Sequence, residues 1–328
     1  MTMGPARGFR QPGPRVATSR AGRPAAFTII ELLVAVVILS ILAGLLLPAI
    51  TAAREAARAT TCRQRLRSVA LATMQFQSVR DCFPPARLVP PAAAPAASVP
   101  SATWLIRVLP YLEQTAADWN GTLPYAEQAA DVRSLVVADF LCPTRRDVTN
   151  AVTPSGRSAD QLAPCGCFIP GRFVTGGAVA DFGGNHGHEP PAAGTPAAGS
   201  GLIVSAEHVV GTSRWRPWIR LADVVDGLGH TLLVGEMHVP RDGLCRPPAN
   251  GPAYDATEFF HMSRVGGPGV PLGDGPQDDV VGMGLFAFGS WHPGACHFAF
   301  ADGRVQGIAP TISAELLAAL CKRADEPL

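Results

Sequence analysis

A chain of 328 residues with 47% apolar and 16% charged side chains is too hydrophobic for a disordered protein. It is long enough for an anchor plus one large or two small domains. A formal net charge of +1 offers no basic face for nucleic acid, so none is expected as a partner. Thirty-four Gly and 31 Pro call for many turns and long irregular loops.

Residues 1–26 carry Arg7, Arg10, Arg15, Arg20 and Arg23, four prolines and no acid, the composition of a targeting leader that stands outside the fold. Residues 27–53 are a transmembrane helix. Glu31 is their only charged residue, and the 22 residues 32–53 carry no charge. As a helix that stretch spans about 33 Å, enough to cross a hydrocarbon core of about 30 Å. A lone carboxylate beside it is costly in lipid and calls for a cationic partner. Five arginines precede the span, and Arg54, Arg58, Arg63, Arg65 and Arg67 follow it, so arginine counting alone does not orient it.

Residues 54–85 continue the helix as an amphipathic half. Ala52, Ala53, Ala56, Ala57 and Ala59 are strong helix formers, and Leu66, Val69, Thr73 and Phe76 recur on one face. Pro84-Pro85 closes the segment. Residues 86–328 form an α+β domain on one side of the span. A Pro/Ala linker occupies residues 90–100. The segment 104–114 is a strand or short helix entering a second helix near Thr115. Gly183-Gly184-Asn185-His186-Gly187-His188 reads as loop, residues 219–225 as a short helix or turn, and 231–236 as a strand. The C-terminal part, 285–308, alternates as a three-strand β-meander. Its strands are 285–290, 296–301 and 304–308, and Asp302-Gly303 makes the last turn. Residues 313–322 form a closing helix.

Few local patterns carry chemistry. Asp181, His186, His188 and Glu189 crowd one glycine-rich stretch, and His-x-His is a metal-ligand spacing; the plainer reading is a solvated loop with incidental histidines. Cys165-Gly-Cys167 is too short for a zinc knuckle. The eight cysteines, on an exported chain, suggest one or two structural bridges beside free buried thiols. No Gly-x-Ser-x-Gly elbow or phosphate-cradling loop is present, and no enzyme activity is expected.

Ala26-Phe27-Thr28-Ile29-Ile30-Glu31 followed by an apolar helix resembles the cleavage and methylation signal of type IV prepilins and type II secretion pseudopilins. The resemblance implies that prepilin peptidase cuts between Ala26 and Phe27 and methylates Phe27. Ala26 departs from the glycine usual there. It implies that Glu31 meets the N-terminal ammonium of a neighbouring subunit during assembly. It also implies that Pro48, 21 residues after Phe27, kinks or opens the helix. Further segments are similar to a large pseudopilin-like family of unassigned function with a C-terminal His-x9-Asp-Gly motif. They include Ala52-Ala53-Arg54-Glu55-Ala56-Ala57-Arg58, Cys62, Phe83-Pro84-Pro85, Leu109-Pro110-Tyr111-Leu112-Glu113-Gln114 and Phe140-Leu141-Cys142-Pro143. They continue with Asp223-Val224-Val225-Asp226-Gly227, Thr231-Leu232-Leu233-Val234-Gly235-Glu236, and Gly289-Ser290-Trp291-His292-Pro293-Gly294 ending in Asp302-Gly303.

The implied protein is a pilin-like structural subunit, single-pass in the bacterial inner membrane with its C-terminal domain in the periplasm. Its partners would be membrane lipid, other pseudopilin subunits and the inner-membrane secretion platform. The alternative is an anchored binding or enzymatic domain that never polymerises. Secretion pseudopilins also suggest Ca²⁺ at Asp274, Asp278 and Asp279, which lack EF-hand spacing; otherwise no cofactor is expected. Fully extended, the strand between His292 and Asp302 separates them by about 30 Å. That distance argues against a catalytic dyad. Structural roles fit better, with His292 bonding a turn carbonyl and Asp302 capping the turn at Gly303.

Overall fold

The computed structural model describes residues 28–91, 102–114, 118–158, 160–162, 168–189, 199–209, 212, 214–277 and 284–324. The chain divides into two units, Met1–Ala52 and Ala53–Leu328. It is an α+β protein: a long N-terminal helix, α1 (Ile29–Arg80), precedes several mostly antiparallel sheets.

In the first unit, α1 leaves its apolar side chains uncovered; Leu39, Leu45 and Leu47 are 63%, 70% and 67% exposed. A helix apolar all round that the described residues leave uncovered needs an apolar surrounding, which a bilayer supplies. The helix passes Pro48 unbroken, and the Thr51 hydroxyl donates to the Pro48 carbonyl at 2.8 Å.

The second unit begins where α1 turns amphipathic. Cys62, Leu66, Val69, Thr73 and Phe76 are buried, at successive spacings of four and three that keep them on one face. Helix α2 (Trp104–Val108) continues into a 3-10 turn, Leu109–Leu112, and Tyr111 meets Phe76 edge-on. Beyond Gln114 the described residues resume at Asp118 in turns. A 3-10 turn, Tyr125–Glu127, and the one-turn helix α3 (Ala130–Arg133) follow; Thr115, where the sequence predicts a second helix to begin, lies outside the described residues.

The main sheet has five strands: β1 (Phe182–Gly187), β2 (Leu232–Glu236), β3 (Ser263–Val265), β4 (Cys296–Phe300) and β5 (Val305–Ile308). Their order is β3-β1-β2-β4-β5, antiparallel except for the parallel β3–β1 pair. Every residue of β2 is buried, as suits a central strand. Along β4 the side chains alternate. Cys296, Phe298 and Phe300 join Leu317 and Cys321 of helix α4 (Ala314–Cys321) on one face, and Ala299 joins the core beneath α1 on the other. Ser313 caps α4, its hydroxyl accepting from Leu316 N at 3.2 Å.

Two expectations fail here. The segment 285–290 does not pair with β4; its end, Gly289–Ser290, pairs in parallel with Gly273–Asp274, and β2 takes the place beside β4. The residues before β4 do not turn back as a hairpin. His292 N donates to Ser290 Oγ at 3.0 Å and Trp291 Nε1 to the Val239 carbonyl at 2.8 Å, which hold them apart from the strand. The β4–β5 hairpin does form: Gly303 N donates to Phe300 O at 3.0 Å, with Gly303 at φ +83°.

The second failure is Phe182–Gly187, a fully buried strand rather than a loop. Its glycines are there because the neighbouring layer is close: a Cβ on Gly184 would lie 2.6 Å from Ile203 Cγ2. We expect Gly184→Ala to destabilise the domain by about 1–3 kcal/mol through overpacking, read as a lowered urea midpoint of the full chain in detergent. An unchanged midpoint would mean that Ile203 does not sit on this strand.

Candidate functional site

Two places in the chain concentrate polar groups where apolar ones would pack more easily. The first is the start of α1. Thr28 N and Thr28 Oγ1 donate to Glu31 Oε2 at 2.9 and 2.8 Å, and Glu31 N donates back to Thr28 Oγ1 at 3.3 Å. This is a reciprocal capping box that satisfies backbone donors at the helix start. Ala26 and Phe27 lie outside the described residues.

The second is a buried cluster beneath the second half of α1. Glu55 and Cys62 are seven residues apart, two turns, and so share one helix face. The segment Phe140-Leu141-Cys142-Pro143-Thr144-Arg145-Arg146 brings up Cys142 and Thr144. It is fixed by Asp181, whose Oδ1 meets Arg145 Nη1 at 3.1 Å and Arg146 Nη2 at 2.8 Å and whose Oδ2 accepts from Cys142 N at 2.9 Å. Glu236 closes β2, fully buried. His297 sits on β4 and donates to Glu236 Oε2 through its backbone N at 2.8 Å; its Nδ1 is 2.9 Å from the same oxygen.

His292 lies between these groups. Its Nδ1 is 2.6 Å from Glu55 Oε1, while its Nε2 is 3.4 Å from Cys142 Sγ and 3.6 Å from Glu236 Oε1. Cys62 Sγ donates to Glu236 Oε1 at 3.3 Å, with the Cys142 thiol beside it. Thr144 Oγ1 donates to Glu55 Oε1 at 2.8 Å and fixes that carboxylate.

The electrostatics follow from this packing. Burial pushes the Glu236 carboxyl up, but the His297 hydrogen bond and the charges of His292, His297 and Arg145 outweigh it and bring it to about 2. Burial likewise works against the His292 imidazolium; Cys142, Glu236 and Glu55 together raise it to about 9. The neighbouring Cys62 thiol leads in lowering the Cys142 thiol to about 7, and the same neighbourhood raises Cys62. The cluster therefore sets the Glu236 and Glu55 carboxylates against the His292 imidazole, with Glu55 at its partly exposed edge.

A family model described as "Protein of unknown function (DUF1559)" matches residues 51–315, most of the chain. The chain belongs to the DUF1559 family. A second model, "Prokaryotic N-terminal methylation motif", matches residues 23–47, so the N-terminus carries a prepilin-type motif on an apolar helix suited to membrane anchoring. No curated protein and no solved structure matches the chain. Every member of the buried cluster falls inside the DUF1559 span.

In this DUF1559 chain the residues singled out from sequence are dispersed. Asp181 and His186 do not form a metal cluster with His188 and Glu189. Asp181 is consumed by two arginines. His186 is buried against Phe259, its ring driven down to about 3 chiefly by burial, and His188 Nδ1 pairs with Ser200 Oγ at 2.9 Å. Nor is the stretch a solvated loop. The strand buries His186, so spacing in sequence is not proximity in space.

His292 does not hold a turn carbonyl; its ring is turned into the cluster, where carboxylates and a thiol outcompete a neutral acceptor. Asp302 lies in the β4–β5 turn and accepts from Arg304 N at 2.9 Å. Asp274 lies in a short exposed strand, while Asp278 and Asp279 are outside the described residues.

The expected bridges are also missing among the described residues. Cys62, Cys82, Cys142, Cys245, Cys296 and Cys321 are free thiols, whereas Cys165 and Cys167 fall outside. Sequence reasoning missed the cluster itself. A signal was present, because Glu55, Cys62, Cys142, Glu236 and His292 all stand in the segments that carried the family resemblance.

Proposed function

We propose that this DUF1559 protein is a pilin-like structural subunit of a type II secretion or type IV pilus-like system. Prepilin peptidase would process it, lipid would hold it, and it would stand in the inner membrane with Ala53–Leu328 in the periplasm. It would associate with other pseudopilin subunits and the membrane platform through its N-terminal helix, and it would have no catalytic role. The observation that carries this reading is the prepilin-type motif running into the apolar span 27–53, whose single charge is Glu31.

Mass analysis of the mature N-terminus tests it. The expected chain begins with N-methyl-Phe27. A chain that still begins at Met1, or begins anywhere after Phe27, overturns processing and with it the pilin-like role.

A further inference from the structure

The sulfur, oxygen and nitrogen atoms that Cys62, Glu236, His292 and His297 can offer all lie within 4.8 Å of one another, and all four residues are buried. We propose that these four residues form a structural zinc site that ties α1 to β2, β4 and the residues just before β4.

The distances suit that ion. Four donors about 2.0–2.3 Å from a tetrahedral Zn²⁺ stand about 3.3–3.7 Å from one another. Cys62 Sγ is 3.3 Å from Glu236 Oε1, and His292 Nε2 is 3.6 Å from the same oxygen. His297 Nδ1 contacts the other carboxylate oxygen, Glu236 Oε2, at 2.9 Å, and the whole donor set, within 4.8 Å, has to draw in around the ion.

The donor types suit it as well. A thiolate, two imidazoles and one carboxylate match a borderline-soft divalent ion and are a poor set for Ca²⁺ or Mg²⁺, which take oxygen. Charge closes too: Zn²⁺ with the Cys62 thiolate and the Glu236 carboxylate sums to zero, which a core buried from water tolerates. The thiol proton leaves to solvent as the ion binds, and each histidine ligates as a neutral imidazole that carries its one proton on the outer ring nitrogen.

An independent observation points the same way. His292 turns Nε2 toward the other donors and Nδ1 toward Glu55 Oε1 at 2.6 Å, and Glu55 is itself fixed by Thr144 Oγ1 at 2.8 Å. A carboxylate behind the outer nitrogen is the usual support of a metal-bound histidine, fixing its tautomer and ring orientation. The site is closed, without a face for substrate, so its role is to hold the fold. It does not depend on N-terminal processing, and either proposal can fail alone.

Cys142 Sγ stands 3.4 Å from His292 Nε2, in the same cluster as Cys62, which sets up the competing outcome, a Cys62–Cys142 disulfide that would remove the thiolate ligand.

The test uses the full chain purified from membranes in detergent. Elemental analysis should find about one zinc per chain. Chelator-stripped protein refilled with Co²⁺ should show the visible bands of a tetrahedral ion and a thiolate-to-cobalt charge-transfer band. Cys62→Ser should abolish the charge-transfer band, while Cys82→Ser should leave it. His292→Ala should lower zinc content at least tenfold. Should either site variant fail to fold, the cobalt spectrum of the wild-type chain decides by itself. Wild-type protein that holds no stoichiometric zinc and gives an octahedral or featureless cobalt spectrum overturns the site. A peptide map with Cys62 joined to Cys142 overturns it equally.

Discussion

Asp181→Asn is expected to destabilise the globular unit by about 3–5 kcal/mol, seen as a large drop in the urea midpoint of the full chain with little change in slope. Asn keeps the shape and can still accept from Cys142 N, but it removes the charge that faces both Arg145 and Arg146. All three side chains are at most 2% exposed, so water cannot take over the neutralisation. Two guanidinium groups would remain in the core. Arg145 would keep only the Gly289 carbonyl and Arg146 only Cys245 and Asn250 as hydrogen-bond partners. Asp302→Asn is the control. Its carboxylate is 38% exposed, and a pair there is worth about 0–1 kcal/mol. If Asp181→Asn cost no more than that control, the double ion pair would be misplaced, and the anchoring of Cys142 and Thr144 with it.

The second large effect concerns Glu31, and the capping box makes two variants necessary. Glu31→Val removes both the cap and the charge; Glu31→Gln keeps an acceptor for Thr28 and removes only the charge. A lost cap costs about 1 kcal/mol. That is too little to unfold an apolar helix in lipid, where unpaired backbone groups have no alternative partner. An ion pair at a dry subunit interface is a larger matter: leaving one partner uncompensated costs about 3–5 kcal/mol. Both variants should therefore be cleaved and inserted normally, and both should be lost from the fibre, measured by cross-linking and co-purification beside N-terminal mass analysis. If Glu31→Gln assembled like wild type, the carboxylate would serve only as a cap, and the anchored domain that never polymerises would be the better account.

The long helix, its buried stripe at Leu66, Val69, Thr73 and Phe76, the Asp302-Gly303 hairpin and the strand ending at Glu236 were legible because each is written in a local period or a turn pair. Phe182–Gly187 was not. Glycine there answers to Ile203 and Met237 pressing on the strand, and a constraint set by another layer looks like loop composition in one dimension. The cluster was harder still. Glu55 and His292 are 237 positions apart, Cys62 and Glu236 are 174 apart, and no spacing rule joins them. His186-Gly187-His188 offered a ligand spacing and no site, because burial and the strand's partners decide what a histidine meets.

Those same separations govern the order in which the chain acquires its structure. The residues that meet around Glu236 come from near the beginning, the middle and the end of the globular unit, so no early hairpin or isolated helix can assemble them. Bringing such distant segments together costs chain entropy before any contact repays it, and folds dominated by pairings of this kind reach the native state slowly. The half-folded globular unit would therefore carry its thiols unprotected. Whatever secures Cys62 and Cys142 in the finished core, the vulnerable interval is the one before β4 arrives.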